Sequence, residues 1–195
     1  MENQPEEYQP MENEPIENQP APLFGTALRY GLGAALIMIV LQTLFNLLGT
    51  QGSFLLGVGQ FFAFLALVVG ISIFTIRNYR DNELMGLISF GQGFKLSFIT
   101  LLTAGVILAF YSTLYVTMID SAAIDAQIEE AIMDLEDAGM GDSERDLAIR
   151  MINFFRSPIV IFLSSLVQYA IGSAIVSLIG ALVMKKEGPQ GGFNA

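Results

Sequence analysis

The sequence contains no cysteine and no histidine, and charge is scarce: 14% of its 195 residues are Asp, Glu, Lys or Arg. Without cysteine there are no disulfides, no thiolate nucleophile and no thiolate ligands for zinc. Without histidine, the usual neutral-pH proton shuttle and the base of a serine triad are missing too. Soluble domains carry about 25% charged residues. Here the shortfall is concentrated in long uncharged runs, with 53% hydrophobic residues and a mean hydropathy of +0.56. Such a chain is solvated by lipid. The H-E-x-x-H and P-loop patterns are absent. The acidic residues all fall outside the apolar runs, so no paired-carboxylate site forms within them. The expectation is a protein that is not an enzyme and uses no cofactor and no metal.

The net charge of −10 resides mostly in two blocks. The first 20 residues hold six glutamates and no Lys or Arg, while Asp120 to Ser157 holds ten acidic residues against Arg145, Arg150 and Arg156. No basic stripe exists to follow a phosphate backbone, which argues against nucleic-acid binding. Residues 1–22 repeat proline every five positions, at Pro5, Pro10, Pro15 and Pro20, and have too little apolar surface to offset their ordering entropy. They read as a disordered acidic tail and not as a signal peptide, because no basic segment precedes an apolar core. Residues 187–195 read as a flexible end.

Between these ends, 23–186 reads as an all-α, polytopic membrane domain of four transmembrane helices. The spans cover about 26–48, 54–76, 92–119 and 158–184, each long enough to cross about 30 Å of hydrocarbon. Pro158 suits a first helical turn. The segment 120–157 switches to helical amphipathic spacing, with Ile124, Ile128, Ile132 and Leu135 set among acidic residues. Gly139 would stop the first of its helices, and Asp142 or Ser143 would cap the second. The insert is thus an extramembrane helical hairpin over one membrane face or against the bundle. An EF-hand reading of 134–142 fails on register.

Four spans put both termini and the second connection on one side. That side carries Arg29, Arg77, Arg80, Lys95, Lys185 and Lys186, six of the nine basic residues. The positive-inside rule makes it the cytoplasmic side.

The sequence also hints at an internal duplication. Phe24-Gly25-Thr26-Ala27-Leu28-Arg29 and Phe90-Gly91-Gln92-Gly93-Phe94-Lys95 share one pattern. Gln60-Phe61 precedes Arg77 by the same interval that separates Gln168-Tyr169 from Lys185. Two hairpins in parallel orientation, the second with an insertion, would produce both matches; chance matches in a low-complexity alphabet are the alternative.

Within the spans, Gln42, Asn46, Gln60 and Gln168 each need a partner in hydrocarbon and should face the bundle as a polar cluster. Arg29 and Lys95 lie near the basic ends of spans one and three, where they can snorkel or hold a lipid headgroup or anion. Small residues four apart (Gly59 and Ala63, Ala66 and Gly70, Ser173 and Ser177) mark expected close helix contacts.

The stretch Ile88-Ser89-Phe90-Gly91-Gln92-Gly93-Phe94-Lys95, with the four-span layout and the acidic insert before the last span, resembles the domain-of-unknown-function family numbered 4199. The resemblance covers roughly 24–186. Members often have proline after the Asp that ends the third span, whereas here Ser121 follows Asp120. The resemblance implies a small membrane protein of the kind typical of Bacteroidota, and supplies no catalytic residue. With the charge pattern, it places the chain in a bacterial inner membrane with both termini cytoplasmic. Two function classes remain: a non-enzymatic accessory or structural protein, self-associating or meeting a complex through Asp120 to Ser157; or a small oligomeric transporter, channel or lipid-binding protein. A dry, well-packed bundle would favour the first, and a wide aqueous cavity lined by the amides the second.

Overall fold

The computed structural model describes residues 21–48, 54–119, 121–137 and 141–186. The rest of the acidic tail, the turn at 49–53, Asp120, the stop expected at Gly139 and the C-terminal segment lie outside the described residues. The described residues form six helices and no strand: α1 (Leu23–Leu47), α2 (Phe54–Glu83), α3 (Phe90–Leu114), α4 (Ser121–Asp137), α5 (Asp142–Phe155) and α6 (Pro158–Met184). A π-helical turn, Tyr115–Ile119, extends α3. Four of these helices, α1, α2, α3 with its extension, and α6, are long and apolar enough to cross a membrane.

The helices run past the expected boundaries at the basic end, for local reasons. α2 continues through the polar run to Glu83, so its final turns project beyond the apolar stretch. α3 begins at Phe90 because Ser89 caps it: the Ser89 side chain accepts the Gln92 N–H, and the Gln92 side chain accepts the Ser89 N–H. The S-x-x-Q of the family-like stretch is thus a capping box. On the other side, α5 starts at Asp142, one of the two expected caps, with Gly141 in the N-cap position and no side-chain cap bond.

α3 is the hub, packing most heavily against α6 and α1, with α2 against α6 and α3. Gly93, Ser97, Thr100, Ala104, Gly105 and Ala109 are all buried, so backbones can approach α3 from several directions. The closest approaches fall at glycines the small-residue spacing did not mark. A β-carbon at Gly31 would stand 2.8 Å from the Thr100 carbonyl oxygen, and one at Gly180 2.3 Å from Ser72 Oγ. Of the expected pairs, Ser173 and Ser177 are buried in the bundle. Gly59 and Gly70 instead face open space, and Ala66 is exposed. Gly59 and Ala66 lie on the half of α2 that stands away from its neighbours, and Gly70 on its outward face, so small size has nothing to serve there.

One end of the bundle is tied together by its chain crossings. The Ala21 N–H donates to Glu83, the Tyr79 hydroxyl donates to the Ala21 carbonyl, and Ile88 pairs its backbone with Lys186. The start of α1, the end of α2, the 84–89 connection and the end of α6 therefore share one face, as the span count requires. α4 and α5 sit at the opposite end, against the π-helical turn and α6. Arg156 bonds to Asp125 and links the α5–α6 junction to α4.

Candidate functional site

α2 changes character along its length. Ser72, Thr75, Ile76 and Tyr79 are buried, whereas every residue from Phe54 to Gly59 is exposed, as are Phe61, Phe62, Leu65 and Ala66. The two helices of the first hairpin touch sparsely, while α3 and α6 of the second pack along their length. The two hairpins are therefore packed unequally. α2 is seated at the basic end and stands off at the other.

The divergence opens a cavity of about 480 Å³ among all four spanning helices. That lies within the range of roughly 300–1,000 Å³ typical of small-molecule sites. Three of the four expected amides meet there: Gln42 from α1, Gln60 from α2 and Gln168 from α6. Phe61 and Tyr169 line it as well, so the Gln60-Phe61 and Gln168-Tyr169 pairs face one cavity from α2 and α6. Its back wall is α3, through Leu101, Gly105 and Leu108. Among the described residues that line it, none is charged. Asn46 lies one turn beyond Gln42 and is not among the lining residues.

The end of the cavity nearest the basic face is closed by a hydroxyl cluster, of which the small-residue spacing marked Ser177 but neither Ser72 nor Ser97. Ser97 Oγ lies 2.7 Å from Ser72 Oγ and 2.9 Å from Ser177 Oγ, and all three are fully buried. Each sits one helical turn beyond a cavity wall residue: Ser72 after Val68, Ser97 before Leu101, and Ser177 after Ser173. The serines hold α2, α3 and α6 together where α2 begins to diverge. A signal was present, since these are hydroxyls inside three spans, but serine is common in helix packing and singles out no position.

Arg29 and Lys95 are both exposed. α1 faces α3 with Ala27, Gly31, Ala34 and Ala35; Arg29 is two residues from Ala27 and from Gly31, about 200° round the helix from each. It points away from the helix that carries Lys95, and the structure does not bring the two together. Tyr30 instead joins α1 to α2, with its hydroxyl bonded to Asn78 and its ring edge-on to Phe74.

Comparison with curated proteins and with solved structures returns no match. A family model does match, over residues 29–186, which span the four apolar helices and the α4–α5 insert, so the chain belongs to the family described as protein of unknown function (DUF4199).

Proposed function

We propose that this multi-pass membrane protein is a non-enzymatic binding protein for a lipophilic molecule held in the four-helix cavity. The observation that carries the reading is the convergence of Gln42, Gln60 and Gln168 on one apolar cavity. Amides both donate and accept hydrogen bonds, so they can hold the polar part of a bound molecule while the predominantly apolar wall takes the rest. The buried serine floor supports binding over conduction, because the cavity ends where α2, α3 and α6 close on one another. We place the protein in the bacterial inner membrane, with the end that carries Arg77, Arg80, Lys95, Lys185 and Lys186 in the cytoplasm, on the strength of its excess of basic residues.

The test is native mass spectrometry of the full chain released from its own membranes. Wild type should carry a lipophilic adduct that Gly172→Phe removes. Gly172 lines the cavity, and its would-be β-carbon meets nothing within 4 Å, so a ring there occupies the cavity without displacing the bundle. No adduct, or one that survives Gly172→Phe, would overturn the reading.

The accessory role rests on a separate observation. α5 exposes Leu147, Met151, Phe154 and Phe155, while Asp125, Glu129, Glu130 and Asp134 of α4 are exposed and acidic. That combination suits either the membrane boundary or a partner subunit, and crosslinking in native membranes with identification of the joined chains separates the two.

A further inference from the structure

Gln168 belongs to two concave surfaces. Besides lining the cavity, it borders a groove on the outside of α6, walled by Val160, Leu163, Val167 and Ile171, with Phe154 of α5 at one end. Leu163, Val167 and Ile171 are more than half exposed and recur every four residues, which makes them a lipid-facing stripe in a spanning helix. α5 joins α6 through residues 156–157 alone, so Phe154 is held at the mouth of the groove by a short tether. Gln168 is shared by the groove and the cavity, and it and Gly172 are exposed on the cavity's α6 wall, so the groove adjoins the cavity at a place open to lipid tails.

We propose that the cavity is filled sideways from the bilayer leaflet on the α4–α5 side, through this groove and past Gln168, by an uncharged lipid: a hydrocarbon chain bearing a hydroxyl, carbonyl or ester head. The proposal rests on the cavity being a ligand site and adds the ligand's class and its route. Depth argues for the uncharged head. Gln60 is six residues after Phe54 and Gln168 ten after Pro158, so these amides lie about 9 Å and 15 Å along their helices from that end. A phosphate at that depth would be buried with no cation among the described lining residues, a cost that a neutral head avoids. Amides donate and accept hydrogen bonds, which matches hydroxyl and carbonyl groups. Geometry argues for the route, because α2, α3 and α6 close on one another at the serine cluster, while the groove meets the cavity at the exposed Gln168.

The experiment uses the full chain in vesicles of phosphatidylethanolamine and phosphatidylglycerol. One set is doped with a photoactivatable diacylglycerol, the other with a photoactivatable phosphatidylglycerol carrying the same chain, and labelled peptides are mapped. Diacylglycerol should label the 57–68 and 168–176 segments about tenfold more than the charged lipid, a ratio corresponding to one well-made polar contact. Ser164→Trp, which fills the groove from an exposed position, should slow that labelling while leaving its pattern unchanged. Leu163→Trp repeats the test should the first variant not fold. Equal labelling by the two lipids overturns the uncharged head, and an unslowed rate in the groove variant overturns the route. In both cases loss of labelling in Gly172→Phe keeps the cavity reading intact. Labelling of these segments that Gly172→Phe leaves unchanged overturns that reading itself.

Discussion

Gly105 of α3 lies directly against Tyr169 of α6: a β-carbon at 105 would stand 2.7 Å from the Tyr169 Cβ and 3.3 Å from its Cγ. Both residues line the cavity. The obstruction at 105 is the root of a large side chain, which cannot swing clear as a flexible tip would. Gly105→Ala should therefore push α6 off α3 and cost about 1–3 kcal/mol, the usual range for an overpacked core. Gly33, with nothing within 4 Å, is the matched control. Its replacement by alanine should be neutral or stabilising by up to about 1 kcal/mol through helix propensity. Thermal unfolding in mild detergent reads both, and equal effects would mean that the contact at 105 contributes nothing specific.

Gly180 and Ser72 make a sharper pair. A β-carbon at 180 would come 2.3 Å from Ser72 Oγ, which is already bonded to Ser97. Gly180→Ala must turn that hydroxyl away and break the bond. Interhelical hydrogen bonds in membranes average about 0.6 kcal/mol and reach about 1.7, so with the steric strain the cost should be about 2 kcal/mol. Adding Ser72→Ala removes the clashing oxygen. The double variant should be more stable than Gly180→Ala alone, a coupling of opposite sign to ordinary additivity. Simple addition of the two losses would show that the Ser72 hydroxyl is not what obstructs a side chain at 180.

Much of this architecture was legible in the chain. Apolar length marked the four spans, and the need of each amide for a partner pointed Gln42, Gln60 and Gln168 inward. The Gln60-Phe61 and Gln168-Tyr169 pairs, alike in their spacing from a basic residue, both line one cavity. What could not be read was where the bundle opens. The apolar stretch of α2, 54–76, is similarly hydrophobic throughout, and a residue facing lipid is as hydrophobic as one facing a helix. For the same reason Gly59 and Gly70 passed for contact residues while Gly105 and Gly180 did not stand out. Spacing reports a face of a helix; only the neighbouring helix shows whether that face is met.

The outer hairpin should be held loosely. Arg156 bonds to Asp125, and both side chains are about half exposed, at 46% and 50%. Exposed ion pairs contribute about 0–1 kcal/mol, so Arg156→Ala should leave global unfolding within that margin. It should nonetheless raise amide exchange across α4 and leave α3 and α6 unchanged, because this bond joins α4 to the α5–α6 junction. Hydrogen exchange followed by peptide mapping checks it. Faster exchange in α6 would mean that the hairpin supports the membrane bundle.

Sidedness is open to chemistry because the protein has no cysteine of its own. Ser143 is exposed on the hairpin end and Asn82 on the basic end. With the basic end in the cytoplasm, Ser143→Cys and Ser53→Cys should react with an impermeant maleimide in intact cells. Asn82→Cys should react only after permeabilisation. The reverse pattern would invert the proposed orientation and put the groove beside Phe154 in the cytoplasmic leaflet.

The cavity amides can be separated into packing groups and ligand groups by asking which property each variant changes. Leucine nearly matches glutamine in volume but neither donates nor accepts a hydrogen bond. If Gln42 and Gln168 serve helix packing, leucine at either position leaves a buried partner unsatisfied and costs about 1–3 kcal/mol in the empty protein. If they serve a ligand, the empty protein should be unchanged or slightly more stable, because an amide facing apolar walls is itself unfavourable there. The effect then appears only when ligand is present, as a smaller thermal shift on adding a neutral lipid. Gln168 is exposed as well as lining the cavity, so we expect the second pattern. Ligand-induced stabilisation should fall by about 1.4 kcal/mol for each tenfold loss of affinity at saturating lipid. Destabilisation of the lipid-free protein with an unaltered shift would assign both amides to the scaffold.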